Sequence, residues 1–565
     1  MKSKYFNFAT CFILILQLTG RAQSIPYPPS PDWESTPSGH IATGLGLADI
    51  NNDGWKDLVV ANGNDIQRQH LVVYYNNGVG TFPLTPDWQS DDIDYHGHLA
   101  VGDINLDGWI DVAVSVYIGE SGFNDPGKVK VYYNQGGELE GTPSFESYEY
   151  YTFSCALGDA DGDGDLDLAT TGGEPYGSLY DQGKIFINRN GTFSEYPEWT
   201  TSLDFGSLDV DFGDVDQNGF LDVIFSSEET PNYIYLADEN GNISTNPAWQ
   251  SGEASNFINS LEFGFMGSEK YPGIVMTGNN QLGGDGKVRL YDFASGVPSS
   301  STASWTSPPF GYGSGVILSD VNVDGLLDLI YGGWWLPVNI ILGNNTGFET
   351  SISYTSSTSS VVEAIQIADL DRDGIEIKTD TFNIEGSDIS VLYLEKQLVE
   401  NILSIQFNGK ALSRSFYTLV PNKNWLSFKD NLKQGDEVII EYEFSNDGDM
   451  VITNWDSSKG NYIFYNSPQT SVKEPLNNPT EAPVMVIVPN PTSGKFSVNY
   501  RLNQREFVEI RISDINGKHV YRTFLDWQIA GLHLVEFDLS DQGRGVYNLI
   551  LKAGKIIETR KVVVK

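Results

Sequence analysis

The 565-residue chain is short of the groups that most catalytic and metal chemistry draws on: it has two cysteines, six histidines and only 34 Lys and Arg. Cys11 falls in an N-terminal segment, residues 1–24, that reads as a signal peptide. Lys2 and Lys4 are basic, Phe12–Leu16 is apolar, and Ala22 or Ser24 marks the cleavage point. The mature chain then keeps Cys155 alone, which excludes an internal disulfide. Its apolar, strand-like surroundings read as those of a buried, inert thiol. With histidine and cysteine so sparse, no zinc-ligand spacing and no Ser-His-Asp pattern stands out. Against 75 Asp and Glu, the few cations leave a formal charge of −41. Nucleic acid, which is bound by neutralising phosphates, is a poor partner for such a surface. Beyond the signal, no apolar run reaches the roughly 20 residues that a transmembrane helix needs.

What the chain has in quantity is Asp, Asn and Gly in one arrangement. A nine-residue loop occurs six times, with Asp or Asn at positions 1, 3 and 5, Gly at 6, and Asp at 9 in all but the last copy. The copies offer Asp49, Asn51, Asp53 and Asp57; Asp103, Asn105, Asp107 and Asp111; Asp159, Asp161, Asp163 and Asp167. The later ones offer Asp214, Asp216, Asn218 and Asp222; Asp320, Asn322, Asp324 and Asp328; and a broken set, Asp369, Asp371 and Asp373. A hard cation such as Ca²⁺ takes six to eight oxygens at about 2.3–2.6 Å. Alternate side chains of a tight loop supply them, together with the carbonyl at position 7, here Trp55, Trp109, Asp165, Phe220 and Leu326. The Gly permits the left-handed backbone that wraps the loop. About six structural Ca²⁺ sites follow. They are not EF-hands, which carry a Glu at position 12 between helices. Here β-branched runs such as Leu58–Val60 follow the loop, so it joins two strands.

The loops begin at 49, 103, 159, 214, 320 and 369, a spacing of about 55 with one double gap. The gap is filled by Leu261–Met276, which keeps the frame but lacks the acids, so this fifth unit is expected to hold no metal. An aromatic marker precedes each loop by about 15 residues: Trp33, Trp88, Phe145, Trp199, Trp249, Trp305 and Tyr354. Periods near 50 residues indicate propellers or arrays. The residue just before each loop is small in all seven units: Ala48, Gly102, Gly158, Gly213, Gly264, Ser319 and Ala368. Small residues at one phase suit innermost strands crowded at an axis. The fold class is therefore all-β, a seven-bladed β-propeller with four-stranded blades.

The repeated loop on this period resembles the FG-GAP/VCBS repeat, the calcium-binding blade of integrin α subunits and many secreted bacterial proteins. The resemblance covers roughly residues 27–466. In the seventh unit Ile377 stands where the loop's last acid belongs, and the missing strand returns as Asp447-Gly-Asp449 followed by Met450–Trp455. Asp449 therefore joins the metal set. The domain boundaries read as propeller 25–376, an inserted immunoglobulin-like sandwich at 377–446, completion of blade seven at 447–466, and a linker at 467–485. About 70 residues is small for an independent sandwich, so docking on the propeller is expected. Residues 486–565 resemble the C-terminal sorting domain of type IX secretion cargo, through Val488-Pro-Asn490, Asn516-Gly517 and the closing Lys561–Lys565. That implies handling by the type IX machinery and a secreted or outer-membrane-surface location.

The metal loops read as structural, so function is sought elsewhere. In integrin-like blades the opposite face carries the variable turns. Trp334, Trp335, Trp455, Tyr176, Tyr180 and His96 fall in such turns here and are candidates for stacking on a sugar ring or contacting a peptide. The first reading is a secreted or surface binding protein, adhesin-like or glycan-binding, and more a binder than an enzyme. The alternatives are a calcium-dependent polysaccharide lyase or glycoside hydrolase, with His96 and His98 beside Arg68 or Arg189, and a non-catalytic scaffold that holds the inserted sandwich toward a partner.

Overall fold

A computed structural model describes residues 25–466 except 79, 175–176, 253–256, 269, 281–282 and 293–296. It also describes 485–565 except 489–491, 493, 503–505, 515–517, 529–530, 541 and 554–555. The expected signal peptide, most of the expected linker, and Tyr176 lie outside the described residues. Met485, assigned to the linker, opens the strand Met485–Val488. No α-helix occurs among the described residues, and no helix is long and apolar enough to cross a membrane.

Seven antiparallel blades form a ring. Their inner strands are Ala42–Ala48, Tyr95–Gly102, Cys155–Gly158, Val210–Gly213, Ile258–Met266, Gly313–Ser319 and Ser360–Ala368. Each touches the next, and the seventh touches the first. The small residue ahead of each loop has a local cause. A Cβ on Gly158 would sit 2.5 Å from the Phe212 ring, and one on Gly213 2.5 Å from Phe263. The next blade's bulky side chain fills that space.

The aromatic marker begins the outermost strand of every blade, as in Trp88–Gln89, Phe145–Glu146 and Trp305–Thr306. Its ring reaches the following blade: Trp199 meets Tyr235 edge-on at 5.6 Å and donates its indole N–H to the Ile243 carbonyl at 3.0 Å. Each marker is thus a staple between neighbours. Trp33 precedes the first blade and has only the last one to join. Trp33–Glu34 pairs with Tyr462–Phe464, so the N-terminal segment closes the ring. The sequence reading had not anticipated this closure.

In blade seven the inner strand ends at Ala368, paired with Asp449, just as Ala48 pairs with Asp57 in blade one. Between them the chain leaves along Ile375–Asn383 and returns along Glu437–Ser445, paired to each other from Ile375 opposite Ser445. A four-stranded and a three-stranded sheet enclose a core that includes Leu392, Ile405, Leu426, Phe428, Ile440 and Tyr442. This sandwich sits on the loop face. Thr418 Oγ1 donates to the Gly164 carbonyl at 2.8 Å, and the Ser390 and Val391 N–H groups donate to that of Gly219 at 2.8 and 3.0 Å. One turn of the sandwich enters the central channel, where Lys423 pairs with Asp211 at 2.9 Å and Glu262 at 3.3 Å. Asn422 donates to the Leu47 carbonyl beside it at 2.9 Å.

The C-terminal unit has sheets of three and four strands around Val498, Tyr500, Ile510, Ile512, Leu549 and Leu551.

Candidate metal loops and the aromatic edge

The six acidic loops share one hydrogen-bond frame. The position-9 carboxylate accepts the N–H of position 2 on one oxygen: Ile50 to Asp57 at 3.0 Å, Ala160 to Asp167 at 2.7 Å, Leu370 to Asp449 at 2.8 Å. Its other oxygen accepts the N–H that follows the third strand, from Asn76, Asn188 and Asn466 at 2.7–2.8 Å. The position-1 carboxylate accepts the N–H of the loop glycine, as Asp49 does from Gly54 at 2.7 Å and Asp320 from Gly325 at 2.8 Å. The position-9 acid therefore clamps the hairpin as well as offering a ligand oxygen. Asn76 adds a link that the sequence reading missed. Its amide reaches the Leu370 carbonyl at 2.9 Å and ties blade one to the loop of blade seven. Asn134 and Asn188 do the same, to Ile50 and Ile104, at 2.8 Å.

The loop backbone is left-handed at two positions. Gly54, Gly108, Gly164, Gly219 and Gly325 at position 6 have φ of 85–90°. Position 4 is left-handed as well, although it is occupied by Asn52, Leu106, Gln217, Val323 and Arg372 at φ of 53–57°. A β-branched or bulky side chain resists that conformation, so Val323 and Leu106 are held there by the frame around them. Gly374 departs from the set. Its φ is not in the left-handed range, and it is glycine because a Cβ would lie 2.3 Å from that of Asp447.

Carboxylates converge on single points. Asp159, Asp161 and Asp167 bring oxygens within 4.8 Å of one another, as do Asp214, Asp216 and Asp222, and Asp369, Asp371 and Asp449. In blades one, two and six an Asn amide oxygen takes position 3, and Asn51, Asn105 and Asn322 each accept the position-5 N–H at 2.9–3.0 Å. Burial pushes Asp159 up to about 8, with Asp163 and Asp161 adding repulsion, and burial pushes Asp49 and Asp214 up to about 7. Oδ1 of Asp103 and of Asp369 is buried with no hydrogen-bond partner. An all-oxygen donor set with orphaned carboxylate atoms fits a hard divalent cation. The fifth hairpin turns through Gly267 and Lys270 instead, and Lys270 Nζ donates to the Gly325 carbonyl of blade six at 2.7 Å.

On the far end of the blades the structure gathers three of the aromatic candidates. Trp334 is buried, with its indole N–H on Glu363 at 2.8 Å. Trp335 is 55% exposed at φ +58°, edge-on to Tyr312 at 5.8 Å and to Trp334 at 6.4 Å. Trp455 lies 5.3 Å from Trp334, and its buried indole nitrogen has no partner. Tyr180 belongs elsewhere, at the junction of blades three and four, on Glu229 at 2.5 Å. His96 is not on the surface: it is fully buried between blades one and two, with Nδ1 2.9 Å from the Asn62 carbonyl. Of the histidines and arginines considered for a lyase, Arg68 and buried His96 both face Asp94, Arg68 at 3.6 Å. Arg68 is paired with Glu120 at 2.7 Å, Arg189 acts on Asp161 of a loop, and His98 lies 3.6 Å from Asp209 in the channel.

The FG-GAP-like repeat family matches residues 49–114 and 176–225, and the secretion system C-terminal sorting domain matches residues 486–565. Integrin alpha-3 of Mus musculus is 32% identical over 114 residues, 18% of this chain and 10% of that protein. Integrin alpha-7 of Homo sapiens is 32% identical over 165 residues, 26% of this chain and 13% of that protein. Phosphatidylinositol-glycan-specific phospholipase D of Rattus norvegicus is 31% identical over 186 residues, 27% of this chain and 22% of that protein. The chain thus spans about a tenth to a fifth of the length of these relatives. The sorting domain places the protein at the cell surface or in the extracellular space, by way of type IX secretion. The chain is a β-propeller that carries FG-GAP-like repeats over residues 49–114 and 176–225 and is similar over part of its length to integrin α subunits, with an inserted β-sandwich and a C-terminal secretion sorting domain.

Proposed function

We propose that this is a calcium-stabilised binding protein whose ligand face is the end of the propeller opposite the metal loops. The inserted sandwich covers the loop face and fills the channel with Lys423, which leaves the other end for a partner. The metal ligands are the loop residues at positions 1, 3, 5 and 9 together with the position-7 carbonyls, and Ca²⁺ is the ion that suits oxygen-only loops outside the cell.

The observation that carries the binding reading is the tryptophan edge. Trp335 holds a large ring in water on a left-handed backbone, where a bulky residue is disfavoured. Burial does not account for it. Behind it, Trp334 lies 6.4 Å from Trp335 and 5.3 Å from Trp455, so the exposed ring stands on an aromatic support. An exposed flat ring suits the face of a sugar, so an extracellular glycan is the ligand class. The test is an array of neutral and anionic glycans probed with the calcium-loaded protein and with the double variant Trp335→Ala, Trp455→Ala. Binding that the double variant loses, without a change in melting temperature, supports this reading. Equal binding by both proteins refutes it. Depolymerisation of a polysaccharide in the same assay would move the assignment to the enzymatic alternative.

A further inference from the structure

The metal loop of blade seven is built from two chain segments about 70 residues apart, and its position-7 acid joins a carboxylate cluster, whereas Asp165 at position 7 of blade three is not in the Asp159, Asp161 and Asp167 cluster. Residues 369–374 supply positions 1 to 6. After the sandwich the chain re-enters the loop frame, with Asp449 at position 9. Counting back, Gly448 takes position 8 and Asp447 position 7, where the other loops contribute a carbonyl. Asp447 also contributes its side chain: its carboxylate and those of Asp371 and Asp373 bring oxygens within 4.8 Å of one another. Asp447 is 7% exposed, and its Oδ1 is buried with no hydrogen-bond partner.

The neighbouring contacts hold Asp447 in this place. Gly374 gives it room, as a Cβ there would collide with its own. Its N–H donates to Ser445 Oγ at 2.9 Å, and Ser445 Oγ donates to Asp369 Oδ2 at 2.8 Å. Ser445 ends the last strand of the sandwich, so sandwich and propeller meet at this cluster. The nearby cations are engaged elsewhere: Arg372 bonds to the Gly54 carbonyl and faces Glu443, and Lys56 bonds to Glu400.

The geometry points to a divalent cation site in which Asp447 is a side-chain ligand beside Asp369, Asp371, Asp373 and Asp449, so that the ion clasps the returning end of the inserted sandwich to the propeller. This rests on the calcium reading and adds a ligand, a position and a role to it. The carboxylates form two triads that share Asp371, one with Asp369 and Asp449 and one with Asp373 and Asp447, and ligand charge raises Ca²⁺ affinity. With blade three, whose loop also carries five acids, blade seven therefore gives the tighter class of site, formed only when both ends of the insertion are in place.

The experiment is calorimetric titration of chelator-stripped protein with Ca²⁺, for wild type, Asp447→Asn and Asp216→Asn. Asp447→Asn should weaken one of the tight sites at least tenfold, and Asp216→Asn should leave the tight class intact while altering a weaker site. A wild-type titration curve from Asp447→Asn overturns the proposal while the calcium reading stands. No Ca²⁺ uptake by wild type overturns both. A calcium-soaked crystal of the wild type covers a variant that fails to fold. Anomalous density within about 2.6 Å of a side-chain oxygen of Asp447 supports the ligand, and density at blade seven out of its reach excludes it.

Discussion

Removing calcium should reverse the way the stability of the propeller depends on pH. Without the ion, burial holds Asp159 up to about 8, Asp49, Asp111, Asp214 and Asp328 at about 7, and Asp369 at about 6. These folded values lie above the ordinary carboxylate value of the unfolded chain. The metal-free fold then binds more protons than the unfolded chain, and its stability is fully present below about pH 4 and lost as pH rises through about 6 to 8. With calcium the ion takes the proton's place, and deprotonation favours binding. Each site contributes about 2.7 kcal/mol at a hundredfold excess over its dissociation constant. Six independent sites would give about 16 kcal/mol, which matches or exceeds the whole stability of a typical domain, about 5–15 kcal/mol. Chelation at pH 8 should therefore lower the propeller transition by tens of degrees or abolish it, and acidification to pH 5 should restore part of it. Tryptophan fluorescence melts at pH 5, 6, 7 and 8, in millimolar calcium and in chelator, measure this directly. A chelated melt that is flat with pH, or a calcium effect no larger at pH 8 than at pH 5, would refute the reasoning.

Two further outcomes concern the channel and the edge. Lys423→Met leaves Asp211 and Glu262 facing each other without their cation, and should cost about 3 kcal/mol, the lower end for breaking a buried pair because water reaches the channel; denaturant unfolding checks it. Trp334→Ala removes a buried ring and strands Glu363, at a cost of about 3–5 kcal/mol, whereas Trp335→Ala should stay within about 0.5 kcal/mol, as surface changes do; equal losses would assign Trp335 to packing.

The acidic hairpin loops are legible because they repeat one pattern of Asp, Asn and Gly at fixed spacing, and the blade period because each unit repeats a small residue and an aromatic. The features that escaped depend on partners far away in the chain. Trp33 reads as the start of blade one, and only ring closure puts it on blade seven. The left-handed position 4 leaves only a partial trace in sequence, since Asn52 and Gly162 suit it while Leu106 and Val323 do not and are held there by the surrounding frame. Lys423 reads as a surface lysine in a polar turn, yet its ammonium neutralises two inner strands. His96 lies in what reads as a variable turn, but a β-bulge in its strand turns it into the packing between blades. Asp447 escapes notice because it stands at position 7, where the loop pattern asks only for a backbone carbonyl.

We propose that the repeated loops hold metal and that the rest of the propeller is organised around them. Native mass spectrometry of the mature chain, electrosprayed from calcium and from chelator, counts the ions. The expected result is a folded species carrying six Ca²⁺ that chelation removes, with no seventh from the hairpin at Gly267–Lys270. A folded species of the same mass in both solutions would contradict it.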